Sequence, residues 1–66
     1  MDYAKLIRTI RADLILTQAE LADMLGVSFA TVNRWENGHH EPTIKQRRAL
    51  RDFCRKKRIQ LGEWGK

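Results

Sequence analysis

The sequence predicts an all-α domain built from four helices, with room for a fifth. Three observations support this class. Apolar residues recur at helical spacing toward both ends of the chain, helix-capping residues precede each predicted segment, and glycine or proline stands between segments. A chain of 66 residues suits a single domain. We expect residues 1–61 to form it and the glycine-containing residues 62–66 to form a flexible tail.

The first predicted helix begins after Asp2, whose carboxylate can cap it, and extends to about Leu14. Its apolar residues follow the i, i+3, i+4, i+7, i+11 spacing of one helix face. They are Tyr3, Leu6, Ile7, Ile10 and Leu14. We expect this face to pack into the core.

A second helix is predicted after Thr17, which can form a capping box with Glu20 three residues later. Gly26 can end this helix through a left-handed conformation. One face of the helix is apolar and comprises Leu21, Ala22 and Leu25. The segment is therefore a short amphipathic helix that ends in a tight turn.

The third predicted helix follows that turn directly. Ser28 can cap it, and the helix runs from Phe29 to about Asn37, where a glycine follows. Val32 and Trp35, three residues apart, form its inner face. Two short helices joined by a glycine turn make a helix-turn-helix, in which the second helix can lie in the DNA major groove.

The fourth predicted helix follows Pro42, has Thr43 as its cap or first residue and extends to about Arg58. On a helical wheel one arc is apolar and the opposite arc is basic. The apolar arc, which should pack on the core, comprises Ala49, Leu50, Phe53, Cys54 and Leu61. The basic arc, here called the arginine stripe, comprises Arg47, Arg48, Arg51, Arg55 and Arg58. We interpret the stripe first as a solvated surface, second as a phosphate contact and third as a contact for an acidic partner protein.

The stretch from Thr17 to Asn37, TQAELADMLGVSFATVNRWEN, resembles the helix-turn-helix of the Cro/repressor-type (XRE-like) family. The resemblance covers about residues 3–54, and the motifs that carry it are Thr17–Ala22, Leu25–Ser28 and Val32–Gly38. It implies a compact lambda-repressor-like fold that binds double-stranded DNA with the third helix, about residues 28–37, in the major groove. It also implies a small transcriptional regulator that binds DNA as a homodimer.

The chain departs from the family pattern just after the first helix. Members often have glycine there, whereas this chain has Ile15. A β-branched residue tolerates the left-handed conformation poorly. We therefore expect this helix to end differently from the family pattern.

The family pattern also implies which side chains meet DNA. Four positions of the third helix would face base edges: Phe29, Ala30, Asn33 and Arg34. Arg34 can make a bidentate contact with guanine and Asn33 with adenine, whereas an apolar side chain can only contact a thymine methyl or pack on a sugar. The candidate phosphate contacts are Gln18, Ser28, Asn37, His39, Thr43 and Lys45, which His40 can join. The alternatives are capping alone for Ser28 and a solvated loop for the histidines.

A structural ion pair is implied by the same resemblance. In the family, an arginine late in the first helix commonly pairs with the glutamate of the Trp-Glu-Asn-Gly run. The matching positions are Arg11 and Glu36. We expect a partly buried, bidentate pair that orients the third helix against the first.

The net charge of +5 is unevenly distributed. Residues 1–42 have four Lys/Arg and six Asp/Glu, a net of −2, and residues 43–66 have nine and two, a net of +7. This asymmetry favours an anionic partner, nucleic acid first. The alternative is a charged, solvated face that keeps a small domain soluble.

No grouping of residues suggests catalysis, a metal site or a cofactor, so we expect no enzyme. Cys54 falls on the apolar arc and is expected to be a core residue. His39 and His40 lack the further ligands and spacing of a metal site. The sequence has neither a signal peptide at its start nor an apolar run long enough to span a membrane. We therefore expect a soluble cytoplasmic protein that acts at the prokaryotic nucleoid and has no membrane partner.

Two alternative functions stay open. The chain can be an antitoxin-like or mobile-element control protein, whose second function is to bind a protein partner. It can also be a protein-interaction domain that keeps the fold without base readout, because Phe29 and Ala30 are apolar. Leu61 and Trp64 are the spare apolar residues that a dimer contact can use.

Overall fold

A computed structural model of the chain describes residues 2–59. The described residues contain four α-helices: α1 (Tyr3–Leu14), α2 (Gln18–Leu25), α3 (Phe29–Glu36) and α4 (Ile44–Lys56). The all-α, four-helix prediction is therefore confirmed. The predicted tail at residues 62–66 and the dimer candidates Leu61 and Trp64 lie outside the described residues.

Side chains fix where each helix starts. Each cap accepts a hydrogen bond from the backbone N–H three residues later, and the four caps are Asp2, Thr17, Ser28 and Thr43. Glu20 and Gln46 complete capping boxes, because their side chains accept the backbone N–H of Thr17 and Thr43. The starts are thus determined locally, which is why the sequence predicted them closely.

The core lies between all four helices. Its buried apolar residues are Leu6, Ile7, Ile10, Leu21, Ala22, Val32, Trp35, Leu50 and Cys54. Trp35, only 2% exposed, is the largest of them and lies on α3. Helix α3 therefore has its inner face held by α1 and α2, while α4 closes the core through Leu50 and Cys54.

Helix α4 differs from its prediction in three places. It ends before Arg58, which adopts a left-handed backbone with a φ of 58°. Ala49 was predicted to be packed and is exposed. Arg47 was predicted in the solvated stripe and is half-buried, since its Nε donates to the carbonyl of Pro42 at 2.9 Å and its guanidinium lies 5.0 Å from the ring centroid of Tyr3. A helical wheel cannot represent these contacts, because they come from α1 and from the loop before α4.

The end of α1 contradicts the expectation for Ile15. The residue adopts the left-handed conformation, with φ 55° and ψ 55°, although its side chain is β-branched. The backbone N–H of Ile15 bonds to Ala12 and that of Leu16 bonds to Arg11, which closes the helix in the usual left-handed way. The Ile15 side chain is 89% exposed and gains little from packing. The chain thus keeps the glycine-type ending at a cost of about 1–2 kcal/mol.

Replacing Ile15 with glycine should therefore stabilise the domain. The gain should be about 0.5–1 kcal/mol, because relief of left-handed strain exceeds the extra unfolded-state entropy of glycine. Urea denaturation followed by circular dichroism measures it. Ile15→Ala is the matched control, since it removes the exposed side chain and keeps a Cβ at positive φ. Equal stabilisation by alanine and glycine would show that backbone strain is not the cause.

Candidate nucleic-acid interface

Helix α3 buries one face and turns the opposite face outward. Its buried residues are Val32, Trp35 and Glu36. Across the helix, Ala30 and Arg34 are exposed and Asn33 is half-buried. Phe29 lies at the first turn with 52% of its surface exposed. The four residues predicted to face bases therefore lie on the outer side or at the start of α3, and the buried inner face of the helix fixes its position.

Two asparagines on this outer side form a pair that the sequence analysis missed. The Nδ2 of Asn37 donates a hydrogen bond to the Oδ1 of Asn33, one helical turn earlier. Asn37 also caps the C-terminal end of α3 with a right-handed backbone. The i, i+4 spacing was the available signal, because residues at that spacing are neighbours on a helix surface.

An ion pair links α1 to α3. Arg11 donates from Nε to Oε2 of Glu36 at 2.5 Å and from Nη2 to Oε1 at 2.8 Å. Its third donor, Nη1, bonds to the carbonyl of Leu16 at 3.1 Å. Glu36 is only 5% exposed, so the carboxylate is more deeply buried than the resemblance implied. The bidentate geometry fixes both the distance and the rotation between the two helices.

Two further residues extend this network. Arg8 donates from Nη1 to the backbone carbonyl of Glu36 at 3.1 Å, a contact that the sequence analysis did not identify. Gln18, the first residue of α2, hydrogen-bonds through its side chain to the Glu36 carboxylate. Because Glu36 is contacted from α1 and α2, the carboxylate orients α3 against both helices.

The network should make stability depend on pH in the acid range. The hydrogen bonds from Arg11 hold the pKa of Glu36 below its ordinary value, although burial opposes them. The ionised Glu36 carboxylate thereby adds to the free energy of unfolding. This contribution is fully present above the unfolded-state pKa of about 4.3 and is lost as the pH falls through the lower, folded-state pKa. We expect the difference in unfolding free energy between wild type and Glu36→Gln to be constant above about pH 5 and to shrink below about pH 4.

Urea denaturation of both proteins across that range measures this difference. The comparison is needed because hydrogen bonds with Thr17 also lower the pKa of Glu20. Glu20 is present in both proteins, so its contribution cancels. A difference that stays constant down to about pH 2 would show that the Glu36 carboxylate does not cause the acid loss.

The candidate phosphate contacts do not form one cluster. Thr43 shares a concave surface with Arg34 and His40, between the outer side of α3 and the start of α4. Lys45 lies instead beside the turn between α2 and α3, in a groove lined also by Leu25 and Val27. The remaining candidates are spread along the chain: Gln18 is half-buried at the start of α2, and Ser28, Asn37 and His39 are exposed.

The hydroxyl groups among these candidates already have partners. Ser28 accepts from the backbone N–H of Thr31 at 3.1 Å, and its hydroxyl lies 2.8 Å from that of Thr31. Thr43 accepts from the backbone N–H of Gln46 at 3.2 Å. A hydroxyl that accepts one hydrogen bond still has a proton to donate. Capping by Thr43 is therefore compatible with a phosphate contact, and capping by Ser28 is compatible with one when Thr31 is the donor between the two hydroxyls.

The remaining arginine stripe lies on the outer face of α4. Arg48, Arg51 and Arg55 are exposed at i, i+3, i+7 spacing. Arg51 lies 3.9 Å from the carboxylate of Asp52, whereas Arg48 and Arg55 have no ion-pair partner among residues 2–59. An exposed pair at this distance adds little to stability. The stripe is thus a positive surface separate from the contacts of Arg47.

Cys54 shows no sign of a reactive or metal-binding group. It is 3% exposed, and burial raises its pKa to about 11. The thiol is therefore protonated near neutral pH, whereas nucleophilic attack and metal binding need the thiolate. Within residues 2–59 no three acidic, histidine or cysteine side chains are grouped as a metal ion requires. The same residues contain no helix with the length and hydropathy to cross a membrane.

The fold and this surface together define a class of protein. Two short helices meet at a left-handed glycine, Gly26, and the second is held by its inner face with polar side chains outside. This is a helix-turn-helix domain of the type that binds nucleic acid. Residues 7–58 match the family described as Helix-turn-helix. The match covers most of the chain, so the chain belongs to the Cro/repressor-type helix-turn-helix family, which is a DNA-binding regulatory family.

Comparison with the curated proteins and with the solved structures gives no match. Family membership supports DNA binding in general.

Proposed function

We propose that this protein binds double-stranded DNA sequence-specifically, as a small transcriptional regulator, with α3 in the major groove. The observation that supports this most is the division of α3 into two faces. Its inner face is fixed by Val32, Trp35 and the paired Glu36, while Asn33 and Arg34 lie on the outer side. A rigid helix with free donors on its outer side is what direct readout of bases requires.

Arg34 is the main base-reading residue in this proposal. It is exposed and has no ion-pair partner among the described residues, so its five N–H donors are available. A guanidinium fits the O6 and N7 acceptors of guanine in a bidentate contact. Phe29 and Ala30 lie one turn earlier and would contact thymine methyl groups or the sugar, since neither offers a hydrogen bond.

Phosphate contacts would set the position of α3 in the groove. The proposed residues are Gln18, Ser28, Asn37, His39, Thr43 and Lys45. Thr43 fits this role best, because it shares a concave surface with Arg34 and can reach the strand that Arg34 reads. A homodimer would supply a second such helix and read two half-sites about 34–36 Å apart.

Arg34→Ala should weaken binding and relax sequence preference at one base pair. The expected loss is about 1–3 kcal/mol of binding free energy on the preferred site. The measurement is selection from a random-sequence duplex pool, followed by titration of the enriched site at two salt concentrations. Arg55→Ala is the matched control, because it removes an equally exposed arginine from the outer face of α4.

The control variant should enrich the same motif as wild type, with at most a small change in salt dependence. Equal loss of motif in both variants would mean that net charge, not Arg34, determines binding. Salt-sensitive binding without any enriched motif would contradict the sequence-specific proposal.

The second candidate is a domain that binds a protein partner, alone or as an antitoxin-like or mobile-element control protein. One observation favours it: Phe29 is 52% exposed beside Ala30, which makes the start of α3 apolar. Under this reading Phe29→Ala would abolish a partner complex, whereas Arg34→Ala would leave DNA affinity unchanged. The pair of variants therefore separates the two functions.

A further inference from the structure

The outer side of α4 carries a straight row of four exposed residues. Its members follow the i, i+4, i+7, i+11 spacing of one helix face and span about 16 Å along the helix. They are Ile44, Arg48, Arg51 and Arg55. We call this set the outer row. It combines three arginines with an isoleucine that is 66% exposed.

The charge of the outer row is not balanced within its helix. Helix α4 has six Lys/Arg and one Asp, a net of +5. Like charges three or four residues apart repel one another along a helix. Asp52 lies 3.9 Å from Arg51, and the row makes no other ion pair with residues 2–59. Because a surface that only keeps a domain soluble mixes both signs of charge, the row is better explained as a binding surface.

The outer row faces away from the proposed DNA interface. Gln46 shares a concave surface with Arg34 and therefore marks the side of α4 that is turned toward α3. At about 100° per residue, every member of the row lies roughly 140–200° around α4 from Gln46. A duplex on the outer side of α3 would therefore leave the row uncovered, so that the row can bind a second partner.

We propose that the outer row is a docking face for an acidic helix of a partner protein. Guanidinium groups pair with carboxylates in a bidentate geometry, and carboxylates three and four residues apart on a second helix match the spacing of the three arginines. Ile44 distinguishes this partner from nucleic acid, because an exposed isoleucine gains nothing from a phosphate but is stabilised against an apolar side chain. The partner helix therefore carries one apolar residue in line with its carboxylates. This inference goes beyond the proposed function and does not require base recognition.

The first experiment is selection from a displayed library of α-helices that are randomised on one face, with the wild-type protein as the target. The expected result is enrichment of helices with Glu or Asp at three- and four-residue spacing and one aliphatic or aromatic residue in line with them. Enrichment of no helix, or of helices without such an acidic row, would overturn the inference.

Titration of an enriched helix, followed by fluorescence anisotropy, then compares variants of the protein. Arg51→Gln/Arg55→Gln should weaken binding of the helix by roughly tenfold. The matched control is Lys5→Gln/Lys56→Gln, which removes the same charge from exposed positions outside the outer row and should weaken binding by less than about threefold. Circular dichroism confirms that each variant is folded. Equal weakening by the two double variants would mean that net charge attracts the helix, which would overturn the inference.

Ile44→Ala separates an acidic helix from nucleic acid as the partner. It should weaken binding of the enriched helix by about threefold to tenfold, because an apolar contact is lost, and should leave affinity for a random-sequence duplex unchanged. Unchanged helix affinity in this variant would make the outer row a general polyanion surface. Equal weakening of duplex and helix binding by Arg51→Gln/Arg55→Gln would lead to the same conclusion, and either result overturns the inference.

Discussion

Arg11→Met should lower the free energy of unfolding by about 3 kcal/mol, at the lower end of the range for breaking a buried ion pair. The variant keeps much of the arginine stem but leaves the Glu36 carboxylate, only 5% exposed, without its bidentate donor. The lower end of the range applies because the Arg11 side chain is 26% exposed. Water can therefore partly replace its guanidinium as a hydrogen-bond donor to Glu36. Urea denaturation followed by circular dichroism measures the change.

Arg8→Met is the matched control for this prediction. Arg8 lies one turn earlier on α1 and makes a single hydrogen bond, to the Glu36 backbone carbonyl, so its loss should cost only about 1 kcal/mol. The double variant Arg11→Met/Glu36→Leu should recover much of the loss, since no buried charge remains. Equal costs for the two single variants would show that the buried carboxylate does not need Arg11.

The ion pair matters for function because of where it attaches. Glu36 is the last residue of α3, and Gln18 and Arg11 reach it from α2 and α1. Loss of the pair would free the end of α3 nearest to Asn33, Arg34 and Asn37. If the protein reads DNA sequence as proposed, a folded Glu36→Gln variant should discriminate less between DNA sequences than wild type.

The sequence predicted the elements whose causes are local. Thr17 and Thr43 start helices with hydrogen bonds inside a single turn, so both capping boxes can be identified from residue types at fixed spacing. The inner face of α3 follows equally from the spacing of Val32 and Trp35. The fold class and the helix starts therefore needed no knowledge of how the helices pack.

The errors concern residues whose conformation depends on distant parts of the chain. Ile15 adopts a left-handed backbone against its own preference, at the point where the chain leaves α1 for α2. Arg47 is half-buried and not solvated like the rest of the stripe, because it contacts Tyr3 and the Pro42 carbonyl, which are nearby only in the folded domain. Spacing along one helix cannot reveal such contacts.

The candidate site was predictable to a similar degree. The outer side of α3 follows from its inner side, but the hydrogen bond between the Asn33 and Asn37 side chains was not predicted. The Arg11–Glu36 pair was predicted from the family resemblance alone, because 25 residues separate its partners and no periodicity links them.

Trp35→Ala should unfold the domain at room temperature in the absence of DNA. Truncating a buried tryptophan costs about 3–5 kcal/mol, and a domain of this size has little more than that in total. Trp35 is 2% exposed and belongs to the core formed by all four helices, so the space it leaves cannot be filled from the surface. Circular dichroism should show loss of helix and of the cooperative thermal transition.

Phe29→Ala is the matched control, since it removes an aromatic ring from the same helix at a position that is 52% exposed. It should change stability by less than about 0.5–1 kcal/mol, so that any effect on DNA binding can be assigned to the contact itself. Saturating DNA should restore helix to Trp35→Ala in part, because a ligand that binds only the folded state stabilises that state. Unfolding of both variants would mean that Phe29 also supports the core. Restoration of helix in Trp35→Ala by DNA of any sequence would mean that phosphate contacts dominate binding.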